Sequence, residues 1–305
     1  MIPARRKTIA DALRGGARLL DGHSDSPRLD AELLLGKTLK LTRSALIAHG
    51  GELMAGDSER AYTTLLQQRC QGAPVAYLTG RREFWSLPLR VTPAVLVPRP
   101  ETELLVELAL ARLPHERPSH ERPCAVLDLG TGSGAIALAI ASERPQARVT
   151  GIDVSPAALD VARENGRALG LASRIDWRLG SWFAPVRGER FDLIAANPPY
   201  VAAADPALRA LAAEPALALC AGPTGLESLA AIVGAAAAHL RPGGYLLLEH
   251  GGSQGPAVSQ LLESCGFEHI RSHADLSGKP RVTLGAAPGR SPLTAPLPHT
   301  APSPQ

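Results

Sequence analysis

The chain has 305 residues, 45% of them hydrophobic and 20% charged, and a formal net charge of +3. This composition is typical of a soluble globular protein, and the longest apolar run is far shorter than the roughly 20 residues that span a bilayer, so we expect no membrane segment. A charge so small for this length, without a long Lys/Arg run, argues against a surface that binds nucleic acid directly.

The N-terminal sequence MIPARRKTIADALRGG has neither the apolar core nor the small-residue cleavage site of a secretory signal. We therefore expect a cytoplasmic protein. The four cysteines, Cys70, Cys124, Cys220 and Cys265, are widely separated and form no CxxC pair. This pattern argues against a zinc site and against a disulfide scaffold, and we expect no bound metal. We also expect a monomer.

Residues 1–75 are predicted to form a small helical domain. Apolar residues recur at helical spacing in IADALRGGARLL, DAELLLGKTL and AYTTLLQQRC, with Gly, Pro and polar breaks between them. Residues 76–98 include FWSLPLRVTPAVLV, whose β-branched and aromatic residues around Pro88 and Pro93 predict a short hairpin or edge strands. This hairpin is expected to link two domains.

Residues 99–287 alternate between strand and helix patterns. Strand-like segments are AVLDLG, RVTGID, RIDWRLG, FDLIAAN and GGYLLLEHG, with helical segments such as GAIALAIASE between them. Such alternation predicts an α/β domain with an open, mainly parallel sheet and helices on both faces. EHIRSHAD and RVTLGA are expected to complete the sheet. The proline-rich tail, residues 288–305, is predicted to be disordered.

The segment VLDLGTGSG places a glycine loop where a buried strand turns into a helix. Its candidate ligand-binding residues are Asp128, Gly130, Thr131, Gly132, Ser133 and Gly134. Glycines at such a turn let a ligand lie against the backbone, and free N–H groups of the helix N-terminus face its anionic parts. The spacing is GxGxG, not the GxGxxG of dinucleotide-binding loops, and an acidic residue precedes it. The loop therefore fits a methionine-type ligand better than a pyrophosphate.

Two further side chains are expected at the same edge of the sheet. Asp153 ends the next strand, where a carboxylate can accept hydrogen bonds from both hydroxyls of a ribose. Capping of the following helix suits Ser155 and Pro156 better. Trp182 follows the third strand and could flank an adenine, although without the neighbouring motifs a core tryptophan would be the preferred interpretation.

The sequence NPPY, residues 197–200, ends the fourth strand and is expected to face the same crevice. Pro198 and Pro199 restrict the backbone and remove two N–H donors, which leaves carbonyl acceptors and the Asn197 side chain in a fixed pose. Such an array suits a planar NH2 group. The Asn197 side-chain oxygen and the Pro198 carbonyl would accept its two hydrogens, and Tyr200 would stack on its plane. Aiming that nitrogen at an electrophilic methyl group lowers the barrier through positioning and preorganised dipoles.

Together, DLGTGSG, Asp153 and NPPY resemble the S-adenosylmethionine-dependent methyltransferases that act on planar amino nitrogens. Within that class, REFWSLPLRV, VPRPETELLVE, ASERP and LLLEHG resemble the peptide chain release factor glutamine methyltransferase family, and the resemblance runs from about RLDAELLL to RVTLG. It implies a helical substrate-binding domain, a hairpin linker and a seven-stranded, mostly parallel Rossmann-like methyltransferase domain. It also implies methyl transfer from S-adenosylmethionine to the side-chain amide nitrogen of the glutamine in the Gly-Gly-Gln tripeptide of class I release factors.

The resemblance also assigns roles to residues of this chain. The methyl-donor site falls on Gly130, Thr131, Gly132, Ser133, Gly134, Asp153, Trp182 and Asn197, with Asp128 adjacent. The substrate glutamine falls on Asn197, Pro198, Pro199 and Tyr200, of which Asn197, Pro198 and Tyr200 are predicted to be catalytic. Ser181 departs from the pattern, because an acidic residue is expected before the aromatic pair. Adenine recognition would then rest on Trp182 and backbone groups.

Several alternatives to this function remain. PRPETE, residues 98–103, separates the family from the related ribosomal protein glutamine methyltransferase, the main alternative, although Pro100 and two glutamates also suit the first turn of a helix. A DNA adenine methyltransferase is less favoured, because the N-terminal region is not basic and shows no base-reading motif. The GxGxG spacing and the NPPY turn count against a nicotinamide-dependent oxidoreductase. The intact acidic and glycine positions count against a binding module that keeps only the fold. His250, at the end of a strand, is expected to be structural and not a catalytic base.

Overall fold

The computed structural model describes residues 7–115 and 122–289. The chain divides into two compact units, Met1–Arg81 and Arg82–Gln305, and the division falls within the segment predicted as a hairpin linker. Of the tail predicted to be disordered, residues 290–305 lie outside the described residues, so that prediction stays a prediction. No helix in the described part of the chain is long and apolar enough to cross a membrane.

The first unit is helical, as predicted. Its helices are α1 (Ile9–Leu19), α2 (Pro27–Leu39), α3 (Arg43–Ala48), α4 (Gly56–Cys70) and α5 (Val75–Thr79). The Thr8 side chain caps α1 by accepting a hydrogen bond from the Asp11 backbone N–H at 3.1 Å. The Asp11 side chain in turn accepts from the Thr8 backbone N–H, which completes a capping box. Buried apolar side chains such as Leu13, Leu34 and Leu35 then close one small core between the helices.

A short hairpin follows, formed by β1 (Arg81–Phe84) and β2 (Leu87–Arg90). Trp85 and Ser86 form its turn with φ angles of 51° and 58°, the left-handed conformation that a two-residue turn needs to match the strand twist. The hairpin begins earlier and is shorter than the sequence predicts, since residues 91–97 are neither strand nor helix. A turn closed by the Val95 N–H and the Thr92 carbonyl replaces the expected strand around Pro93.

The second unit alternates strands and helices. Its helices are α6 (Thr102–Leu110), α7 (Ala135–Glu143), α8 (Pro156–Ala168), α9 (Ala207–Ala210), α10 (Glu227–His239) and α11 (Gly255–Ser264). Its strands are β3 (Ala125–Leu129), β4 (Arg148–Asp153), β5 (Ile175–Leu179), β6 (Phe191–Ala196), β7 (Val201–Ala202), β8 (Cys220–Gly222), β9 (Leu240–Glu249), β10 (Glu268–Ala274) and β11 (Pro280–Ala286). Three short 3₁₀ helices are Ala172–Arg174, Ala184–Val186 and Ala216–Ala218.

Seven strands form one sheet in the order β10-β11-β9-β6-β3-β4-β5. The five strands from β9 to β5 are parallel, and β11 runs antiparallel to both of its neighbours. This arrangement confirms the predicted fold class, including the two closing strands. The small parallel pair of β7 and β8 was not predicted, because segments of two and three residues are too short to show a strand period.

Successive side chains of the central strands point to opposite faces, and helices cover both faces. On one face, Val126 of β3 belongs to a core that includes residues of α6 and α7. On the other, Leu127 belongs to a core that includes residues of α10 and α11. Strand β3 lies between β4 and β6, so the loops that follow these three strands meet at one edge of the sheet.

Candidate active site

A cavity of about 350 Å³ opens at the carboxyl edge of the parallel strands. Eight of the predicted site residues line it: Gly130, Thr131, Gly132, Ser133, Asp153, Trp182, Asn197 and Pro199. Four others do not line it: Asp128, Gly134, Pro198 and Tyr200. The fold therefore brings the glycine loop, the end of β4 and the NPPY turn to one cavity, as the positions of the motifs at the strand ends predict.

The glycine loop needs glycine at the points where it lines the cavity. Gly130 and Gly132 have φ angles of 71° and 55°, which side chains rarely adopt. The Thr131 N–H donates to the Ile152 carbonyl at 2.9 Å, and the Gly132 N–H donates to Asp153 Oδ2 at 2.8 Å. Backbone groups thus fasten the loop to the end of β4.

Asp128 lies beneath this loop and is fully buried. Its Oδ2 atom accepts hydrogen bonds from Thr131 Oγ1 at 2.6 Å and from the Ala137 N–H at 3.2 Å. Burial raises the pKa of Asp128 to about 7, because desolvation disfavours the carboxylate more than these bonds favour it. The structure places this carboxyl where it ties the loop to the first turn of α7, behind the cavity wall.

Asp153 presents its carboxylate at the cavity wall while two backbone donors hold it. Oδ1 accepts from the Ser155 N–H at 2.9 Å, and Oδ2 accepts from Gly132. Burial raises the pKa of Asp153, and these bonds partly oppose the shift. Each oxygen keeps further acceptor capacity. Ser155 caps α8 by accepting from the Ala158 N–H at 3.2 Å, so capping falls to the serine, as expected.

Trp182 lies beside the glycine loop. A Cβ atom added at Gly130 would be 3.7 Å from its indole ring. The Trp182 backbone has a φ of 46°, and its half-buried side chain packs on the core formed with α10 and α11 while also lining the cavity. Trp182 therefore both lines the cavity and packs against a core, and its predicted contact with an adenine stays a prediction.

The NPPY turn is held by side chains from distant parts of the second unit. Asn197 Nδ2 donates to Thr102 Oγ1 at 3.1 Å, and Gln254 Nε2 donates to the Tyr200 carbonyl at 3.0 Å. Among the described residues, none donates a hydrogen bond to the Pro198 carbonyl. The Pro198 carbonyl and Oδ1 of Asn197 are thus two acceptors of the turn to which no described residue donates.

Residues 98–103 are also at the cavity, since Pro98, Arg99 and Thr102 line it. Arg99 forms an ion pair with Glu214, and Glu214 Oε2 accepts from the Val97 N–H at 3.0 Å. The buried Glu214 carboxylate therefore ties this segment to the loop that follows α9. The helical interpretation of the segment holds in part, because α6 begins at Thr102. Glu103 lies in its first turn, whereas Glu101 is the N-cap and Pro100 precedes it.

Sequence reasoning missed several residues that hold the cavity walls. Asn165 donates from Nδ2 to the Ser133 carbonyl at 2.9 Å and to the Arg90 carbonyl at 3.0 Å. Its signal is an asparagine inside a helix, where this residue type is unfavourable unless its side chain has partners. Thr102, Glu249 and Gln254 carried no comparable local signal, because their contacts to the turn are long-range.

His250 does not line the cavity and is fully buried. Its Nε2 atom is 2.8 Å from Thr283 Oγ1, and Nδ1 is 2.9 Å from the Gly251 carbonyl. Burial lowers the pKa of this imidazole, which favours the neutral ring. Within residues 7–115 and 122–289, no cluster of three His, Cys, Asp or Glu side chains has the arrangement of a metal site.

Two protein-family models match the chain. The PrmC N-terminal domain matches residues 11–80, and a methyltransferase domain matches residues 120–279.

Curated relatives match most of the chain. A release factor glutamine methyltransferase of Xylella fastidiosa is 50% identical over 264 residues, which are 86% of this chain and 94% of the relative. Proteins of the same name from Salmonella typhimurium and Escherichia coli are 46% and 43% identical over 264 residues, covering 86% of this chain and 93% of each relative.

Solved structures share the fold. A methyltransferase from Pyrococcus furiosus aligns with a TM-score of 0.50 at 20% identity, covering 67% of this chain and 89% of that one. A 16S rRNA methyltransferase from Thermus thermophilus, solved with AdoMet and guanosine, aligns with a TM-score of 0.50 at 24% identity, covering 68% of this chain and 49% of that one. At such identities the likeness shows the methyltransferase fold alone.

Proposed function

Because the chain belongs to the release factor glutamine methyltransferase family, we propose that it methylates the side-chain amide nitrogen of the glutamine in the Gly-Gly-Gln tripeptide of class I release factors. S-adenosylmethionine is the methyl donor. The observation that carries the proposal is one cavity that is lined both by the glycine loop with Asp153 and by Asn197 and Pro199. A donor and a planar nitrogen can meet there.

The residues of the cavity fit S-adenosylmethionine. Its volume of about 350 Å³ lies within the usual range for small-molecule sites. Left-handed glycines keep side chains out of the space next to the loop, and the Asp153 carboxylate suits the two ribose hydroxyls. We assign Gly130, Thr131, Gly132, Ser133, Gly134 and Asp153 to the donor, with Trp182 at its adenine, and Asp128 to the support of the loop.

Asn197 and the Pro198 carbonyl are assigned to the substrate amide. The Asn197 Nδ2 atom is committed to Thr102, so Oδ1 is its free acceptor for one hydrogen of the substrate NH2 group. The Pro198 carbonyl accepts the other hydrogen. Pro199 completes the substrate side at the cavity, and Tyr200, which does not line the cavity but packs on the core beside it, is assigned to the support of the turn. The proline rings fix the backbone φ angles of the turn, so these acceptors are already in place before the substrate binds.

The bound donor supplies an electrophilic methyl group. The chain's own contribution is to orient the amide nitrogen in line with that group and to exclude water from the cavity, effects of the size that positioning and preorganised dipoles provide. An amide nitrogen becomes acidic only once it is alkylated, so its proton leaves after transfer, to a nearby acceptor or to solvent, and the reaction requires no early general base. Asn197, Pro198 and Tyr200 are accordingly assigned to orientation.

The helical first unit is assigned to the release factor itself. The PrmC N-terminal domain model covers residues 11–80, which supports a substrate-binding role for residues 1–75. The remaining domain assignments are a hairpin linker over 76–98 and a methyltransferase domain over 99–287. We propose a monomeric enzyme that acts in the cytoplasm, where release factors work, and that makes no direct contact with nucleic acid.

The test is methyl transfer from labelled S-adenosylmethionine to a purified class I release factor. We expect label on the intact factor and none on a variant in which alanine replaces the tripeptide glutamine. A second factor variant, with alanine at a glutamine outside the tripeptide, is the matched control and should accept label like the parent. Label that persists without the tripeptide glutamine would reject the proposed target. A parallel reaction with ribosomal proteins tests the alternative substrate class.

A further inference from the structure

The side chain of Asn165 joins two parts of the second unit that are distant in sequence. Asn165 lies in α8 and is 2% exposed. Its Oδ1 atom accepts a hydrogen bond from the Arg90 N–H at 2.7 Å, and its Nδ2 atom donates to the Arg90 carbonyl at 3.0 Å and to the Ser133 carbonyl at 2.9 Å. Arg90 is the last residue of the hairpin strand β2, and Ser133 belongs to the glycine loop. One buried amide therefore connects the hairpin to the loop.

The orientation of the Asn165 amide is fixed by its partners. An asparagine side chain has two N–H donors and one carbonyl acceptor. The two carbonyls use both donors, and the acceptor faces the Arg90 N–H. A flipped amide would set an N–H group against the Arg90 N–H and an oxygen against both carbonyls, so none of the bonds would form. Only a side chain with both donors and an acceptor, at this length, can hold the three backbone groups.

Strand β5 and helix α8 pack closely against the glycine loop next to Ser133. A Cβ atom added at Gly134 would lie 2.9 Å from the Trp177 ring and 3.3 Å from the Ala162 side chain. None of the side chains of Trp177, Ala162 and Asn165 lines the cavity. They therefore support the loop without touching a bound donor. A loop that is ordered before its ligand binds loses less conformational freedom on binding, which favours affinity.

The hairpin gives Asn165 a fixed point of attachment. Phe84 and Leu89 of the hairpin are buried in the core that includes residues of α6 and α7. The chain then continues from Arg90 toward the cavity, because Ala94, four residues later, is among the residues that line it. Asn165 thus holds the glycine loop at a set distance from a packed element and from the start of another segment of the cavity wall.

We propose that Asn165 is a positioning residue for S-adenosylmethionine, which keeps the glycine loop in its donor-binding conformation by tying it to the hairpin. This inference rests on the proposed function, because it takes the glycine loop as the donor site. Coupling between two sites is reciprocal, so a donor bound to the loop should also stabilise the hairpin end at Arg90. Asn165 acts through Ser133 and does not itself line the cavity.

The first experiment measures the affinity for S-adenosylmethionine by calorimetry in the full-length parent and in Asn165→Leu and Asn165→Asp. Asn165→Leu removes all three bonds at nearly constant size. Asn165→Asp keeps the acceptor for the Arg90 N–H but places an oxygen without a hydrogen against both carbonyls. Both variants should bind the donor about 10-fold more weakly, as expected when the loop holds its binding conformation about a tenth of the time.

The matched control is Glu164→Gln, one residue before Asn165. Glu164 pairs with the side chain of Arg90 at the surface, where such ion pairs contribute little, and the three Asn165 bonds involve only the Arg90 backbone. Donor affinity of Glu164→Gln should therefore equal that of the parent. A loss in this control as large as in the Asn165 variants would overturn the inference.

A split between donor affinity and turnover separates positioning from a merely structural role. At saturating donor, kcat of a folded Asn165 variant should stay within about 3-fold of the parent, because the NPPY turn is untouched. A merely structural role would lower the Tm and leave the donor affinity of the folded enzyme at the parental value. Parental donor affinity in a folded Asn165→Leu or Asn165→Asp enzyme would therefore overturn the inference.

A measurement on the parent enzyme keeps the inference testable if the variants fail to fold. Hydrogen exchange of the Arg90 N–H, followed by NMR, should slow on addition of S-adenosylmethionine more than exchange of the Trp85 N–H. The Trp85 N–H lies at the turn of the same hairpin and donates to Glu103 Oε1 at 2.8 Å, without a bond to Asn165. Equal slowing of both amides would overturn the inference. A parent enzyme that binds the donor but does not label the tripeptide glutamine would instead overturn the proposed function.

Discussion

The two walls of the cavity are built from different parts of the chain. The donor wall, residues 130–133 with Asp153, is held mainly by backbone groups, such as the N–H of Gly132 on the Asp153 carboxylate. The acceptor wall, Asn197 and Pro199 with Thr102, is held by side chains, such as Asn197 on Thr102 and Gln254 on the Tyr200 carbonyl in the same turn. This difference suggests that donor binding and turnover can be damaged separately.

The largest expected effect lies on the acceptor wall. Asn197→Ala removes the amide oxygen assigned to the substrate NH2 group and should lower kcat about 10²- to 10³-fold, as loss of one preorganised hydrogen-bonding group does. Donor affinity, measured by calorimetry, should stay close to that of the parent, because the glycine loop and Asp153 are intact. Steady-state kinetics with labelled donor give kcat. A kcat close to that of the parent would contradict the acceptor role of Asn197. A parallel loss of donor affinity would contradict the view that donor binding and turnover depend on different walls of the cavity.

The donor wall could be predicted from the sequence because its contacts are local. Gly132 and Asp153 are 21 residues apart and end neighbouring parallel strands, so the strand pattern alone brings them together. The position of Asn197, directly after β6, could be predicted for the same reason. Its partner Thr102 is 95 residues away, and Glu249 is 49 residues from Tyr200. No local pattern marks such pairs, since only the packing of α6 and β9 brings them to the turn.

The fold shows the same division between local and long-range information. All seven strands of the main sheet were predicted, because strand-like segments of five or more residues alternate with helical ones or close the chain after them. The hairpin was displaced, because Trp85 and Ser86 adopt left-handed angles without the usual glycine or asparagine. Asp128 looked like a ligand-binding residue in the motif, and only its complete burial shows that it lies under the loop.

A smaller effect is expected at the centre of the donor wall. Asp153→Ala removes a carboxylate from the ribose hydroxyls and also frees the N–H groups of Gly132 and Ser155. Donor affinity should fall about 10- to 100-fold, since hydrogen bonds to charged groups contribute about 1.5–3 kcal/mol. At saturating donor, kcat should change much less than in Asn197→Ala. Calorimetry measures the affinity, with Asp160→Ala on the exposed side of α8 as the control. Unchanged affinity would contradict the ribose role.

The smallest effect is expected for Asp128, and it shows whether this residue supports the donor wall or contacts the donor itself. The pKa of Asp128 is raised to about 7 from its ordinary value near 4. Its stabilising contribution is therefore complete below about pH 4 and is lost as the pH rises through about 7. Asp128→Asn removes this loss, while the asparagine amide oxygen can accept the bonds from Thr131 and Ala137 that Oδ2 of Asp128 accepts. The difference in Tm between pH 5 and pH 8 should therefore narrow by a few degrees, at about 2–4 °C per kcal/mol. Thermal unfolding at both pH values measures the narrowing.

The donor affinity of Asp128→Asn should change less than about 3-fold, because the carboxyl lies behind the wall. A loss of affinity beyond about 10-fold, or 1.4 kcal/mol, would place Asp128 in direct contact with the donor.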